Sequence, residues 1–360
     1  MTDFVNAPLH DPDRYLLRPA HAADLDALER LAAASAHGIT TLPADRSVLQ
    51  DRLARSTEAF TNADDASGGE IYLFVLEDMA AGRVVGTAGI TAAAGEGGQF
   101  YCYRNEYTVQ VSPALAASNR LHTLHLCHDL TGATLLTSFY IEPAYERTPA
   151  PQLLSRGRLL FIHQFAERFA ERVAAESPGL ADDNGHCPFW AAVGQRFIGL
   201  DYPTAERLAV GRSKRFIAEL LPQSPVYVAL LPEQAQWAVG QLHPVAALPF
   251  SILQDEGFDT DTYVDVFDAG PIVETRLTSA RSVALSRHVR ISPGGTEPSV
   301  RRTALHIAAS SQRADFRAVL CRLADGDAEL PAALGTKLAL GPGEPAIATP
   351  LAPEEDAHHV

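Results

Sequence analysis

Along the first hundred residues the apolar positions change period twice. Tyr15 to Arg18 reads as a short strand ended by Pro19. Asp24 then stands where an N-cap opens a helix carrying Leu25, Leu28 and Leu31 at helical spacing. A second helix is predicted from Ala44 to Ala59. The period then falls to that of strands: Ile71 to Glu77 is an unbroken β-prone run, Gly82 marks a turn, and Val84 to Thr91 reads as its antiparallel partner. A glycine-rich loop covers residues 93–100, and Tyr107 to Val111 is a further strand.

Downstream, Leu135 to Ile141 is an apolar strand stopped by Glu142-Pro143. The spacing of Leu154, Phe161, Phe165, Phe169 and Val173 predicts one helix from Gln152 to Ala175. Strands are expected near Phe216 to Leu220 and Tyr263 to Val266, with helices near Pro232 to Gln241 and Pro249 to Glu256. Helices alternating with strands that include an antiparallel hairpin predict a mixed α/β layer architecture. Past residue 275 the pattern shifts. Six arginines lie from Arg276 to Arg302 against one acid, Glu297. That stretch reads as a linker or solvated strand leading to a small C-terminal unit. There the short apolar runs Ala304 to Ala309, Phe316 to Leu323 and Thr336 to Leu340 favour strands.

At 360 residues, 46% of them apolar, the chain is long enough for two or three compact units. Its 44 acids against 29 Lys and Arg leave a net charge of −15. Such a surface repels nucleic acid and anionic membranes and is compatible with a cationic substrate. Four cysteines without a CxxC pair fit neither a disulfide framework nor a zinc ribbon. His122, His125 and His128 stand beside Asp129, but with no second ligand cluster and no HExxH pattern they predict no metal site. No secretory signal is visible, and the most apolar stretches, such as Val226 to Leu231, are too short to cross a bilayer. A cytoplasmic protein is expected.

From Ile71 to Ala175 the order strand, hairpin strand, loop, strand, proline, helix resembles the core of the GCN5-related N-acyltransferase fold. Collinear motifs narrow the likeness: GITTLP (38–43), YCYR (101–104), HDLTG (128–132), SFYIEP (138–143) and CPFW (187–190). They continue with IAELLP (217–222), QLHP (241–244), EGF (256–258) and DVFDAGP (265–271). Through them, residues 15–275 resemble the arginine N-succinyltransferase family. The resemblance implies an α/β, mixed-sheet acyl-CoA N-acyltransferase-like core over residues 1–280, divisible into related halves at 1–210 and 211–280. A small β-rich C-terminal domain would follow over 285–360.

The same resemblance implies attack of arginine's α-amine on succinyl-CoA in a ternary complex, with no permanently bound cofactor and no metal. His243 takes the family's proton-donor position in QLHP, and a histidine exchanges protons near neutral pH. Phe139 matches the position that contacts succinyl-CoA, where a strand N–H can stabilise an oxyanion, and Ile141 follows in the same strand. Tyr101, Tyr103 and Arg104 are candidates for holding a substrate carboxylate, since the guanidinium fork suits one. At the helix N-terminus behind the strand, where backbone amides would face the CoA pyrophosphate, this chain departs from the fold's usual pattern. Residues 146–152 read ERTPAPQ, with two prolines and no glycine, so fewer N–H donors remain. Arg147, Arg156 and Arg158 are the nearest charges to compensate. Two alternatives stay open: a non-catalytic or regulatory paralogue or partner subunit, and an acyltransferase acting on ornithine or another amine. A homo- or hetero-oligomer with a related subunit is expected.

Overall fold

A computed structural model describes residues 11–35, 42–63, 66–95, 97–182, 184–209, 219–294, 303–324 and 326–351. Its first strands are β1 (Tyr15–Pro19), β2 (Ile71–Asp78), β3 (Arg83–Thr91), β4 (Cys102–Ser112) and β5 (Ala117–Cys127). They are followed by β6 (Thr134–Ile141), β7 (Arg172–Glu176), β8 (Val226–Tyr227), β9 (Asp259–Val264) and β10 (Pro271–Arg276). The C-terminal part adds β11 (Arg287–Ile291), β12 (Thr303–Ser310), β13 (Ala318–Ala324), β14 (Glu329–Leu330) and β15 (Pro345–Pro350). All join one sheet in the order β14-β11-β15-β12-β13-β1-β2-β3-β6-β7-β10-β9-β4-β5-β8. The C-terminal strands enter through β13, which pairs antiparallel with β1 at Leu16↔Val319 and Leu17↔Ala318.

Helices α1 (Leu25–Ala34) and α2 (Arg46–Thr61) begin close to their predicted starts. At α2 the Asp45 carboxylate accepts from the Ser47 and Val48 N–H groups, satisfying donors that a helix start leaves open. The helix predicted through Ala175 stops earlier: α3 spans Ala150–Gln164, Phe165 leaves helical geometry at φ −121° and ψ 41°, and Val173 lies in β7. The aromatic spacing that suggested one helix is real, because Phe165 and Phe169 still pack on Phe161. The short strand RVAAE behind them has a wholly buried centre and so shows no polar alternation to betray it. The run Thr336 to Leu340, expected as strand, instead falls largely in the helix Ala332–Leu338. Of the strand expected near Phe216, residues 216–218 lie outside the described residues, and Glu219 and Leu220 form a turn. Most of GITTLP and the start of IAELLP also lie outside them.

Two features of the sheet make room for a ligand. Strands β6 and β7 run parallel and pair only at Thr134↔Val173 and Leu135↔Ala174, after which no strand pairs with that edge of β6 among the described residues. On its other edge β6 carries a bulge, with Ser138 and Phe139 together facing Ala88 of β3 and Ser138 at φ 53°. At the neighbouring Gly89 a Cβ would lie 2.8 Å from the Thr137 Oγ1, so a larger residue there would have to displace that side chain.

A knot of backbone closes the far side of this opening. The segment after β7 and the turn before β10 approach so closely that a Cβ on Gly270 would lie 2.3 Å from the Ser177 carbonyl oxygen. Asp268 fastens them, accepting from the Gly179 and Gly270 N–H groups at 2.8 Å each. Burial, reinforced by the nearby Asp265 and Glu206 carboxylates, pushes Asp268 up to about 7. The native state therefore keeps a proton that the unfolded chain releases near 3.9, and stability falls as pH rises between those values. Thermal melts from pH ~5 to ~8 should show this fall in the wild type. In Asp268→Asn, which has no such charge to acquire, the curve should be flatter; parallel curves would refute the assignment.

Candidate active site

The parting of β6 and β7 opens a cavity of about 150 Å³. One wall is β6 itself, from Leu135 to Phe139; the facing wall is the end of β7 with Ser177 and Pro178. Val245 and Ala246, just before the helix Ala247–Asp255, and Pro249, Phe250 and Leu253 within it close the cavity. Apart from Thr137, Ser138 and Ser177, the polar groups of the lining are ionisable and fall into two sets. Arg158 comes up from α3, and the acids Glu176, Glu206, Asp265 and Asp268 line the cavity as well.

Arg158 is 1% exposed. Its guanidinium donates to the Gly89 carbonyl (3.2 Å), the Thr137 carbonyl (3.3 Å), the Ser155 carbonyl (3.4 Å) and the Ser155 Oγ (3.3 Å). Its central carbon lies 5.6 Å from the centre of the Phe139 ring. No carboxylate pairs with it among the described residues, and burial alone pulls it down to about 9, so it still carries its charge at neutral pH. The acids are held in a different way. Tyr202 donates to Glu206 (2.7 Å) and, more distantly, to Asp268 (3.4 Å), and Asp265 accepts from the Phe267 N–H (2.7 Å).

His243 stands beside the cavity, half-buried, two residues before Val245. Its N–H donates to the Pro178 carbonyl (2.9 Å), and its Nδ1 accepts from the Val245 N–H (3.3 Å). With Nδ1 accepting, the proton of the neutral ring sits on Nε2. The motifs QLHP and DVFDAGP thus meet, because Pro178 precedes the Gly179 that Asp268 holds. CPFW serves the same place: Trp190 stacks on Phe267 at 5.3 Å. The neighbouring Cys187 thiol is buried and pushed up to about 12, which leaves it inert as a nucleophile.

The remaining residues named from the sequence are dispersed. Phe139 is half-buried in the β6 wall, while the Ile141 side chain lies in the main core and can meet a ligand only through its backbone. Tyr101, Tyr103 and Arg104 are not among the cavity's lining residues. Tyr101 donates to Gln99, Arg104 reaches Glu106 (2.7 Å) and Asp129 (3.4 Å), and the wholly buried Tyr103 packs on Phe189. Arg156 is spent inside the protein, its Nε 2.8 Å from the buried Glu256 of the EGF motif. Of the three arginines suggested for phosphate, only Arg147 is exposed, and it has no acid partner among the described residues. The histidines at 122, 125 and 128 do not form a ligand set, since β5 sends His122 and His125 to opposite faces. Among the described residues no cluster could hold a metal ion.

The α3 N-terminus is not the open cradle expected from the resemblance. Thr148, Pro149, Ala150 and Pro151 are buried. The Tyr145, Glu146 and Thr148 N–H groups bond back to Glu142, Pro143 and Tyr145, and the Ala150 N–H goes to the Thr148 Oγ1 (3.2 Å). Glu142 of SFYIEP is likewise structural, held by both Arg83 Nη atoms at 2.7 Å and by Arg30. The cavity acids went unassigned in the sequence, although two of them lie in DVFDAGP. Their role depends on a fold-back that spacing does not reveal.

A family model described as arginine N-succinyltransferase beta subunit matches residues 15–282. The chain is 45% identical over 331 residues to arginine N-succinyltransferase subunit alpha of Pseudomonas aeruginosa, covering 91% of this chain and 97% of that protein. It is 36% identical over 305 residues to arginine N-succinyltransferase of an Enterobacter species, covering 85% and 88%. The solved structure of arginine/ornithine succinyltransferase subunit AI from Pseudomonas aeruginosa superposes with a TM-score of 0.81 at 40% identity, over 95% of this chain and all of that one. The mixed sheet parted at β6 and β7 is thus the acyl-CoA N-acyltransferase-like core that the sequence implied. The chain belongs to the arginine N-succinyltransferase family, enzymes that carry a succinyl group to arginine.

Proposed function

We propose that the wedge between β6 and β7 holds the succinyl thioester and that His243 supplies the proton for the departing thiolate. The observation that carries this reading is the cavity itself, which opens on the unpaired edge of β6 and is lined by Pro178 and Val245, to both of which His243 bonds. Backbone N–H groups near Phe139 would polarise the thioester carbonyl. Arginine's α-amine attacks that carbon, the new C–N bond forms as the C–S bond breaks, and the nitrogen passes its proton to solvent water. The sulfur takes one from Nε2 of His243 acting as imidazolium, once Nδ1 has released the Val245 N–H and taken a proton from water, and the ring returns to its neutral form. Both substrates are present together, so no covalent enzyme intermediate is needed. The acids Glu176, Glu206, Asp265 and Asp268 suit the cationic side chain of the acceptor, whether the guanidinium of arginine or the shorter amine of ornithine. His243→Ala should keep the fold and lower turnover about 10²–10⁴-fold, the range for losing a general acid. Steady-state turnover at wild-type level would remove His243 from the mechanism.

With the Tyr145, Glu146, Thr148 and Ala150 N–H groups bonded within the turn before α3, Arg147 is the group we assign to the CoA phosphates. Arg147→Ala should raise the KM for succinyl-CoA about 10-fold, the scale of one charge-assisted bond, with less effect at high salt. An unchanged KM at low salt would place the phosphates elsewhere.

The β4–β5 hairpin supplies a subunit contact in this reading. Tyr107, Val109 and Val111 alternate with polar residues on one face and are 50%, 64% and 69% exposed, and Leu115 at the tip is 77% exposed. An apolar strand face left in water usually meets a partner, and the Pseudomonas relative is named as one subunit. A second copy or a related chain would cover it. Val109→Asp with Val111→Asp should lower the mass seen by sedimentation; an unchanged assembly would exclude the hairpin from the contact. Among the described residues no helix is long and apolar enough to cross a membrane. A cytoplasmic place suits an enzyme drawing on CoA thioesters, and cell fractionation checks it.

A further inference from the structure

We propose that Arg158 is the counter-ion for the free carboxylate of the succinyl group and so selects the donor. This rests on the wedge as the thioester site and adds the end of the acyl chain that the wedge must recognise.

A buried guanidinium is costly unless paired. Most buried arginines meet a carboxylate, as Arg156 meets Glu256 in this same helix. Arg158, two residues on, is more deeply buried and has only neutral oxygens around it, at 3.2 to 3.4 Å. Those bonds occupy four of its five N–H donors, and one on Nη2 is left. The group also lines the cavity rather than the solid core. Holding two sheet carbonyls beside the bulge does not of itself call for a permanent charge. A binding site that receives an anion does.

The geometry fits the donor. From the thioester carbon to the carboxylate carbon, a succinyl group spans three C–C bonds of about 1.5 Å each, roughly 4 Å when extended. The Arg158 guanidinium donates to the Thr137 carbonyl at 3.3 Å and lies 5.6 Å from the Phe139 ring, so the charge borders the stretch of β6 beside which the thioester is placed, within reach of a chain of that length. The walls between are Leu135, Leu136, Phe250 and Leu253, suited to methylene groups. The cavity acids would repel a carboxylate, which leaves Arg158 as the charge on the lining that can attract it.

The test uses non-transferable ketone analogues of acyl-CoA ending in a carboxylate, the matching carboxamide, or a methyl group. Calorimetry on the wild type should find the carboxylate bound about 10–100-fold more tightly than the carboxamide, the scale of one charge-assisted pair. Equal affinities would overturn the proposal without any variant. In Arg158→Gln, checked for fold by circular dichroism, that gap should close while the methyl analogue binds as before. A persisting gap, or an equal loss for all three, would make Arg158 a packing group of the bulge. Leu135→Trp separates this from the wedge reading. Blocked binding of every analogue supports the wedge whatever Arg158 does. Unimpaired binding means the donor lies elsewhere, and both readings fall.

Discussion

Two parallel strands that pair for two residues and then diverge impose a demand on everything around them. Main-chain donors and acceptors along β6 lose a strand neighbour beyond Leu135, and an exposed edge inside a fold must be covered or put to use. Here the gap is neither filled by a side chain nor sealed by another strand. It is kept open by rigid surroundings: the bulge at Ser138 and Phe139, the clasp of Asp268 on Gly179 and Gly270, and the chain segment carrying His243. Under the proposed function, an extended thioester would complete the sheet there with its own carbonyl and amide groups, which would tie catalysis to the backbone interactions that build a sheet.

Helix α3 stiffens this arrangement from below. Two of its arginines are buried, and the structure handles them in opposite ways. Arg156 is neutralised within the protein by Glu256, a pair whose breaking would cost about 3–5 kcal/mol, and it locks α3 to the segment around Ser282 that Glu256 also binds. Arg158 is solvated by carbonyls and stays charged. One helix thus carries two buried cations two residues apart, one paired with an acid and one without an acid among the described residues. Its N-terminal turn is held by bonds to Tyr145 and Thr148.

Much of this was legible beforehand, and the limits have physical causes. The hairpin β2–β3, the strand β6 and the proline that ends it announce themselves by uninterrupted β-prone runs between turn residues. The QLHP motif that marked His243 in the sequence meets Pro178 at the cavity wall through the His243 N–H. The end of α3 was not legible, since Phe165 and Phe169 keep helical spacing while the backbone turns. Strand β5 escaped because its histidines, Asn119 and Arg120 give it no simple alternation, and its pairing with β4 is what makes it a strand. Arg156 and Arg158 looked alike in sequence, and only packing gave one an acid and the other none. The acids of the cavity come from three separate stretches of chain, so no local pattern could group them.

The join between β1 and β13 has a consequence for how the chain is made. Strand β1 leaves the ribosome long before its outer neighbour, residues 318–324, is translated. Until then Leu16 and Leu17 border an open strand edge in the middle of what will be the sheet. Long-range pairings of this kind form slowly and leave adhesive edges in the nascent chain. The interval between translating β1 and β13 is therefore when this enzyme most needs a chaperone, and its C-terminal strands act as the closing stitch of the acyltransferase core.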